Sequence, residues 1–193
     1  MSSFSWRTSL VTGAFWGVAA LAASVAVPAH AATIVMGDNM GNACFTAVDA
    51  GRANESIDEL CTDALGDEML GKRDTAATYV NRGIVRLRLG RSEDALADFN
   101  AALATSPSMG DAYTNRAAAH VALGDLATAL DDLNTALSMK LEKPEVAYFG
   151  RAMVLERLDR VTEAYRDLKQ AAALAPDWEA PRFELTRYTV VRN

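Results

Sequence analysis

The sequence has few of the residues that build metal centres or nucleophilic active sites. It contains two histidines and two cysteines among 193 residues. A metal site needs histidines, cysteines or carboxylates clustered at ligand spacing, and the sequence has no such cluster. It also lacks a glycine-rich phosphate loop and the Gly-x-Ser-x-Gly pattern of a nucleophile elbow. These absences predict a protein that is not an enzyme and has no cofactor.

Basic residues are also scarce relative to acidic ones. The chain has 19 lysines and arginines against 25 aspartates and glutamates, which gives a formal net charge of −6. Nucleic acids and anionic membrane surfaces are bound by basic patches. The charge balance therefore argues against both as partners.

The N-terminal segment is almost free of charge. Arg7 precedes an apolar run, Leu10–Val27, and Ala29 and Ala31 then fit the small-x-small pattern of a cleavage site. This order is typical of a secretory signal peptide, so residues 1–31 are predicted to be removed from an exported protein. An uncleaved membrane anchor is the alternative, because the run approaches the length of a bilayer-spanning helix.

The two cysteines are Cys44 and Cys61. An even number of cysteines in an exported chain predicts a disulfide between them. Their spacing is not Cys-x-x-Cys, which gives no support to a thioredoxin-like redox motif. Two buried free thiols are the alternative state, and a thiol redox protein is the function that would go with it.

The strongest pattern in the sequence is an internal repeat. Each unit has a Tyr-x-x-Arg block and, after a turn residue, an Ala-x-x-Asp block. The first blocks begin at Tyr79, Tyr113 and Tyr148, the turn residues are Gly90, Gly124 and Asp159, and the second blocks begin at Ala95, Ala129 and Ala164. Apolar residues recur at intervals of three and four, which predicts two helices in each unit. Such short helix pairs must stack on one another to bury their apolar faces.

These units resemble the tetratricopeptide repeat, a family of stacked helix pairs. The first unit carries Tyr79, Gly83, Ala95, Phe99 and Pro107 at the spacing of the family signature. The resemblance implies an all-α helical-repeat solenoid and, together with the signal, an exported bacterial protein of the periplasm. Its three units are residues 76–109, 110–144 and 145–178.

The chain before the repeats is predicted to hold a degenerate helix pair and a loop, residues 43–75. The sequence from Ser56 to Glu59 has the form of a capping box. Alignment with the first unit puts Cys44 and Cys61 at facing positions, so their disulfide would staple this pair. Residues 32–42 have no periodicity and are predicted to be a flexible start of the mature chain.

The chain after the repeats is predicted to form one more helix, within residues 179–193. Pro181 suits a helix start, and Phe183, Leu185 and Tyr188 follow at helical spacing. Repeat stacks need such an element to cover their last apolar face. This segment is therefore predicted to be a C-terminal capping helix.

An arginine and an aspartate recur together in every unit. The pairs are Arg82 with Asp98, Arg116 with Asp132, and Arg151 with Asp167, and their separation along the chain is the same each time. One interpretation is a structural ion pair between the two helices of each unit. The other is a row of arginines that binds a ligand.

The resemblance also implies a binding face, because family members grip a peptide with the first helix of each pair. It places there Asn81, Ile84, Arg88, Asn115, Phe149, Met153 and Arg157. Asn81 and Asn115 match asparagines that hold a peptide carboxylate in the family, and the alternative is that an Asn-Arg pair is simply common in these repeats. Val146 and Gly150 stand where the carboxylate clamp has basic residues, so the clamp is incomplete. A peptide with polar main-chain contacts and an apolar anchor suits this mixed lining better.

The sequence therefore predicts a periplasmic or secreted adaptor that binds a protein or peptide partner. A homo-oligomer assembled through the apolar ends of the stack is a second hypothesis. The thiol redox protein is a third.

Overall fold

The computed structural model describes residues 40–188. Within this range the chain forms nine α-helices and no strand, which confirms the predicted all-α fold. The helices are α1 (Met40–Asp49), α2 (Glu55–Leu65), α3 (Lys72–Arg88), α4 (Ser92–Thr105), α5 (Gly110–Ala122), α6 (Leu126–Leu137), α7 (Pro144–Arg157), α8 (Val161–Leu174) and α9 (Glu179–Leu185). None of these helices is long and apolar enough to cross a membrane. The predicted signal peptide, residues 1–31, lies outside the described residues.

Each of the three repeats folds as two helices joined by a tight turn. The pairs are α3 with α4, α5 with α6, and α7 with α8. The turn residues Gly90, Gly124 and Asp159 have positive φ angles of 79°, 83° and 59°. Glycine adopts this left-handed conformation without steric cost, and aspartate tolerates it better than most other residues. The turns thus lie at the three points that the repeat pattern predicts.

Small residues let the two helices of a pair approach each other closely. A Cβ atom placed on Gly83 would lie 2.6 Å from Cε1 of Phe99, whose side chain is fully buried. The other two repeats have alanine and leucine at these positions: Ala117 with Leu133, and Ala152 with Leu168. The repeat with the largest core side chain is therefore the one that has glycine opposite it.

Helices α1 and α2 form a shorter pair in front of the repeats. The fully buried Cys44 and Cys61 form a disulfide across this pair, and their Cα atoms are 5.0 Å apart. Helix α1 also packs on α3, where the cysteines share a core cluster with Ile84 and Phe99. The disulfide thus fixes the element that covers the N-terminal end of the repeat stack.

The structure corrects two predicted boundaries in this N-terminal pair. The N-cap of α2 is Asn54 and not Ser56, because Oδ1 of Asn54 accepts a hydrogen bond from the backbone N–H of Ile57 at 3.0 Å. Helix α1 begins at Met40, so residues 40–42 are helical and do not belong to a flexible N-terminus.

Helix α9 covers the other end of the stack. Trp178 and Leu185 pack against the core of α7 and α8, and Pro181 is buried. The helix ends at Leu185 and a turn follows it, so it is shorter than the helix predicted within residues 179–193. Residues 189–193 lie outside the described residues.

Candidate peptide-binding face

The first helices of the three repeats lie side by side. Helix α5 contacts both α3 and α7, which aligns equivalent positions of the three helices along one face. We call this face the groove face. The residues that the family resemblance assigns to it are Val80, Asn81, Ile84 and Arg88 of α3, Thr114, Asn115 and Ala118 of α5, and Phe149, Gly150, Met153 and Arg157 of α7.

The predicted site residues divide into a buried floor and an exposed rim. The floor contains Asn81, Ile84, Asn115, Phe149 and Met153, all of which are buried. The rim contains Arg88 and Arg157, which are exposed at the ends of α3 and α7. The exposed rim residues therefore determine the surface chemistry of this face. Substitutions of the floor residues would also change the packing of the core.

Asn81 is the most unusual residue of the floor. Its side chain is 0% exposed, and within the described residues neither its Oδ1 nor its Nδ2 atom has a hydrogen-bond partner. The equivalent Asn115 instead donates a hydrogen bond to the backbone oxygen of Asp111 at 2.9 Å. An unsatisfied buried polar group costs about 1–3 kcal/mol.

Aromatic residues extend the groove face toward the C-terminus. Phe149 packs against Trp178, with ring centroids 4.9 Å apart. Phe183 of α9 lies one repeat length after Phe149, at the equivalent position of the next first helix, and it is 69% exposed. The exposed Phe183 and Arg157 thus make this end of the face both apolar and cationic.

Arg88 connects the groove face to the N-terminal pair. Its Nη1 atom donates a hydrogen bond to the backbone oxygen of Val48 at 3.1 Å. Val48 lies in the last turn of α1, where a helix leaves carbonyl oxygens without intrahelical partners. The disulfide-linked pair therefore positions one of the two rim arginines.

The segment that follows α6 packs against the first residue of α5. A Cβ atom on Gly110 would lie 2.5 Å from Cδ2 of Leu141, so a side chain at this position would require the Leu141 side chain to move. Burial raises the pKa of the neighbouring Asp111 carboxyl, and the charge of Glu142 raises this pKa further. Lys143 acts in the opposite direction.

The repeated arginines form a ladder within and between the pairs. Each arginine donates two hydrogen bonds to the aspartate of its own pair, over distances of 2.7–3.1 Å. Each also donates one bond to the second helix of the preceding pair: Arg82 to Thr62, Arg116 to Asn100, and Arg151 to Asn134. The three guanidinium carbons lie 5.2–5.6 Å from the ring centroids of the repeat tyrosines. This geometry favours the structural interpretation of the arginine–aspartate pairs over a ligand-binding row.

Comparison with known proteins identifies the repeats. The tetratricopeptide-repeat family model matches residues 74–142. This part of the chain therefore has tetratricopeptide repeats. The match covers the first two tetratricopeptide repeats, and the third has the same helix pair, turn and arginine–aspartate bonds. No curated protein matches the sequence.

Solved structures of other proteins have a similar fold, and two of them are TPR domains. The Arabidopsis OM64 TPR domain is 24% identical, with a TM-score of 0.57 over 61% of this chain and 96% of that one. The second TPR domain of human RPAP3, solved in complex with the HSP70 peptide SGPTIEEVD, is 21% identical, with a TM-score of 0.55 over 61% and 97%. The crystal structure of MamA is 14% identical, with a TM-score of 0.61 over 78% and 82%.

Sequence reasoning missed two aromatic residues of the groove face. Trp178 contacts Phe149 from the segment before α9, and Phe183 is at the position of α9 that is equivalent in sequence to Phe149. The spacing between Phe149 and Phe183 equals that between Tyr79 and Tyr113, and this signal could have identified Phe183. No comparable repeat signal marks Trp178.

Proposed function

We propose that the chain is an exported adaptor, periplasmic or secreted, that binds a peptide segment of a partner protein along the groove face. The observation that best supports this proposal is the side-by-side arrangement of the first helices of the three repeats. These helices have amide and apolar residues in equivalent positions. A peptide that lies along the face can contact the exposed rim residues with polar and apolar side chains. Peptide binding by the RPAP3 domain supports this function at the level of the fold.

The chemistry of the face favours a partner segment with an apolar anchor. Val146 and Gly150 are buried on α7 and offer no charge to a terminal carboxylate. Ile84, Phe149 and Met153 are apolar but buried, so the exposed Phe183 is the apolar residue that a partner can reach. The exposed Arg157 and Phe183 would then contact an acidic and an apolar side chain at one end of the segment.

The two other hypotheses have less support. The arginine ladder does not continue past α8, because Lys169 follows Leu168 where Asn134 follows Leu133, and Leu185 takes the place of the arginine in α9. The C-terminal end thus lacks the bonds that join successive pairs, which disfavours end-to-end self-assembly. The buried disulfide between Cys44 and Cys61 disfavours a thiol redox function.

The test is affinity capture from the cell envelope with exposed-residue variants, because substitutions in the buried floor would also destabilise the fold. The groove variant carries Arg157→Glu and Phe183→Ala. The matched control carries Arg166→Glu and Leu174→Ala, which change an exposed arginine and an exposed apolar residue of α8. We expect a partner that the wild type and the control retain and the groove variant loses.

Two other results would count against the proposal. If the groove variant and the control retain the same partner equally, that partner binds elsewhere on the molecule. If no bait captures a partner and the size of the wild type rises with its concentration, self-assembly becomes the better account. Circular dichroism must show that both variants keep the helical content of the wild type.

A further inference from the structure

Equivalent aspartates of the three repeats face different sets of cations. All three accept two bonds from the arginine of their own pair. The residue one turn after that arginine differs, being Arg86, His120 or Leu155. Arg86 donates a second arginine bond to Asp98 at 2.8 Å, whereas Nε2 of His120 lies 3.9 Å from Oδ2 of Asp132. The second repeat thus carries a titratable group where the first has a permanent charge and the third has none.

His120 also lies at the junction of α5 and α6. Its Nδ1 atom is 3.7 Å from Oδ2 of Asp125, and its side chain is 14% exposed. Asp125 is the N-cap of α6 and accepts a hydrogen bond from the backbone N–H of Thr128 at 3.1 Å. His120 itself is in the last turn of α5, where the helix dipole favours a positive charge.

The other neighbours of the imidazole add no further carboxylate. On its own helix, Arg116 is already bonded to Asp132 and Asn100. On the preceding second helix, the position equivalent to Asp58, which binds Arg86, is the apolar Leu96. Within residues 40–188, Asp125 and Asp132 are therefore the two carboxylates that pair with this ring.

We propose that His120 makes the second repeat a proton-sensitive joint. A protonated ring links the end of α5 to Asp125 and Asp132 of α6, as Arg86 links its neighbours in the first repeat. A neutral ring makes no such ion pairs. Histidine changes charge between about pH 5 and 8. The link therefore exists only while the ring carries a proton.

The test compares the wild type with His120→Gln and His120→Arg in the full chain. Urea unfolding is followed by helical circular dichroism at about pH 5.5 and about pH 8. We expect the ratio of the folding constants of wild type and His120→Gln to rise about fivefold from the higher to the lower pH, the effect of a cation at a helix C-terminus. The ratio of His120→Arg to His120→Gln should be the same at both pH values, because arginine stays charged. The second histidine, His30, is common to all three proteins and cancels.

A further variant identifies the partner of the ring. Asp125→Asn keeps an N-cap acceptor but removes the carboxylate charge. In this background, the ratio of the folding constants with His120 and with His120→Gln should therefore rise less on acidification. A wild-type to His120→Gln ratio that does not change with pH would overturn the proposal. A ratio that falls on acidification would also overturn it, since the cost of burying the imidazolium would then exceed the gain from its ion pairs. These outcomes are independent of whether the groove face binds a peptide.

Discussion

The repeated arginines illustrate how geometry decides between two interpretations that the sequence leaves open. Arg116 donates to Asp132 over 2.7 and 2.8 Å and to Asn100 over 2.8 Å. Arginine has a planar fork of donors that fits a carboxylate with two parallel bonds. Since these donors are already used within the protein, little of the guanidinium is left for a ligand. The constant spacing of arginine and aspartate predicts the pairing, but the bond to the preceding pair is visible only in the fold.

A single residue also determines how large a side chain can pack where the two helices of a pair cross, and this gives a prediction for Gly83. We expect Gly83→Ala to lower the free energy of unfolding by about 1–2 kcal/mol, because the new methyl group would overlap the ring of Phe99. The loss should appear although alanine favours a helix over glycine by about 1 kcal/mol. Urea unfolding of the variant and the wild type measures the difference.

The other repeats supply the matched rescue. They combine alanine with leucine at these positions, so Gly83→Ala together with Phe99→Leu should be more stable than the sum of the two single changes predicts. Additive effects in the double variant would show that the overlap with Phe99 is not the cause of the loss.

At the scale of the helix, the sequence predicts the elements well and their ends less well. The repeat pattern predicts the paired helices and the turns at Gly90, Gly124 and Asp159. The cap of α2 was predicted wrongly because Ser56 and Asn54 are both good capping residues. The residue that caps the helix is the one whose backbone is extended, and here that residue is Asn54.

Helix α1 depends on its disulfide, and we predict that the loss of this bond has a local effect. Replacing both Cys44 and Cys61 by alanine should lower the stability of the N-terminal pair by about 3 kcal/mol, the value for closing a loop of this length. In a repeat stack each pair contacts its neighbours only. Hydrogen exchange should therefore become faster in α1 and α2 and change little in α7 and α8.

Reduction of the wild type provides an independent test of the same element. A reductant should produce the same pattern of exchange in the wild type and have no effect on the cysteine-free variant. Equal acceleration of exchange in all the described helices would contradict the prediction. It would mean that the whole described stack unfolds as one unit.

For the whole molecule, the repeat architecture is predictable and the exposure of the groove face is not. The family resemblance assigns Asn81, Asn115 and Phe149 to this face. Their burial depends on tertiary contacts, such as that of Phe149 with Trp178. The missing hydrogen bonds of Asn81 likewise follow from packing, because the equivalent Asn115 has the same residue type and a bonded side chain.

Export is the last prediction, and it concerns the chain before the described fold. If residues 1–31 are a signal peptide, the protein recovered from the cell envelope should begin at Ala32. Ala31→Arg should block this cleavage, because the residue before the cut must be small. N-terminal sequencing and mass measurement of the wild type and the variant test both points. A wild-type chain that keeps Leu10–Val27 and stays in the membrane fraction would instead establish an uncleaved anchor, and the groove face would then act next to the membrane.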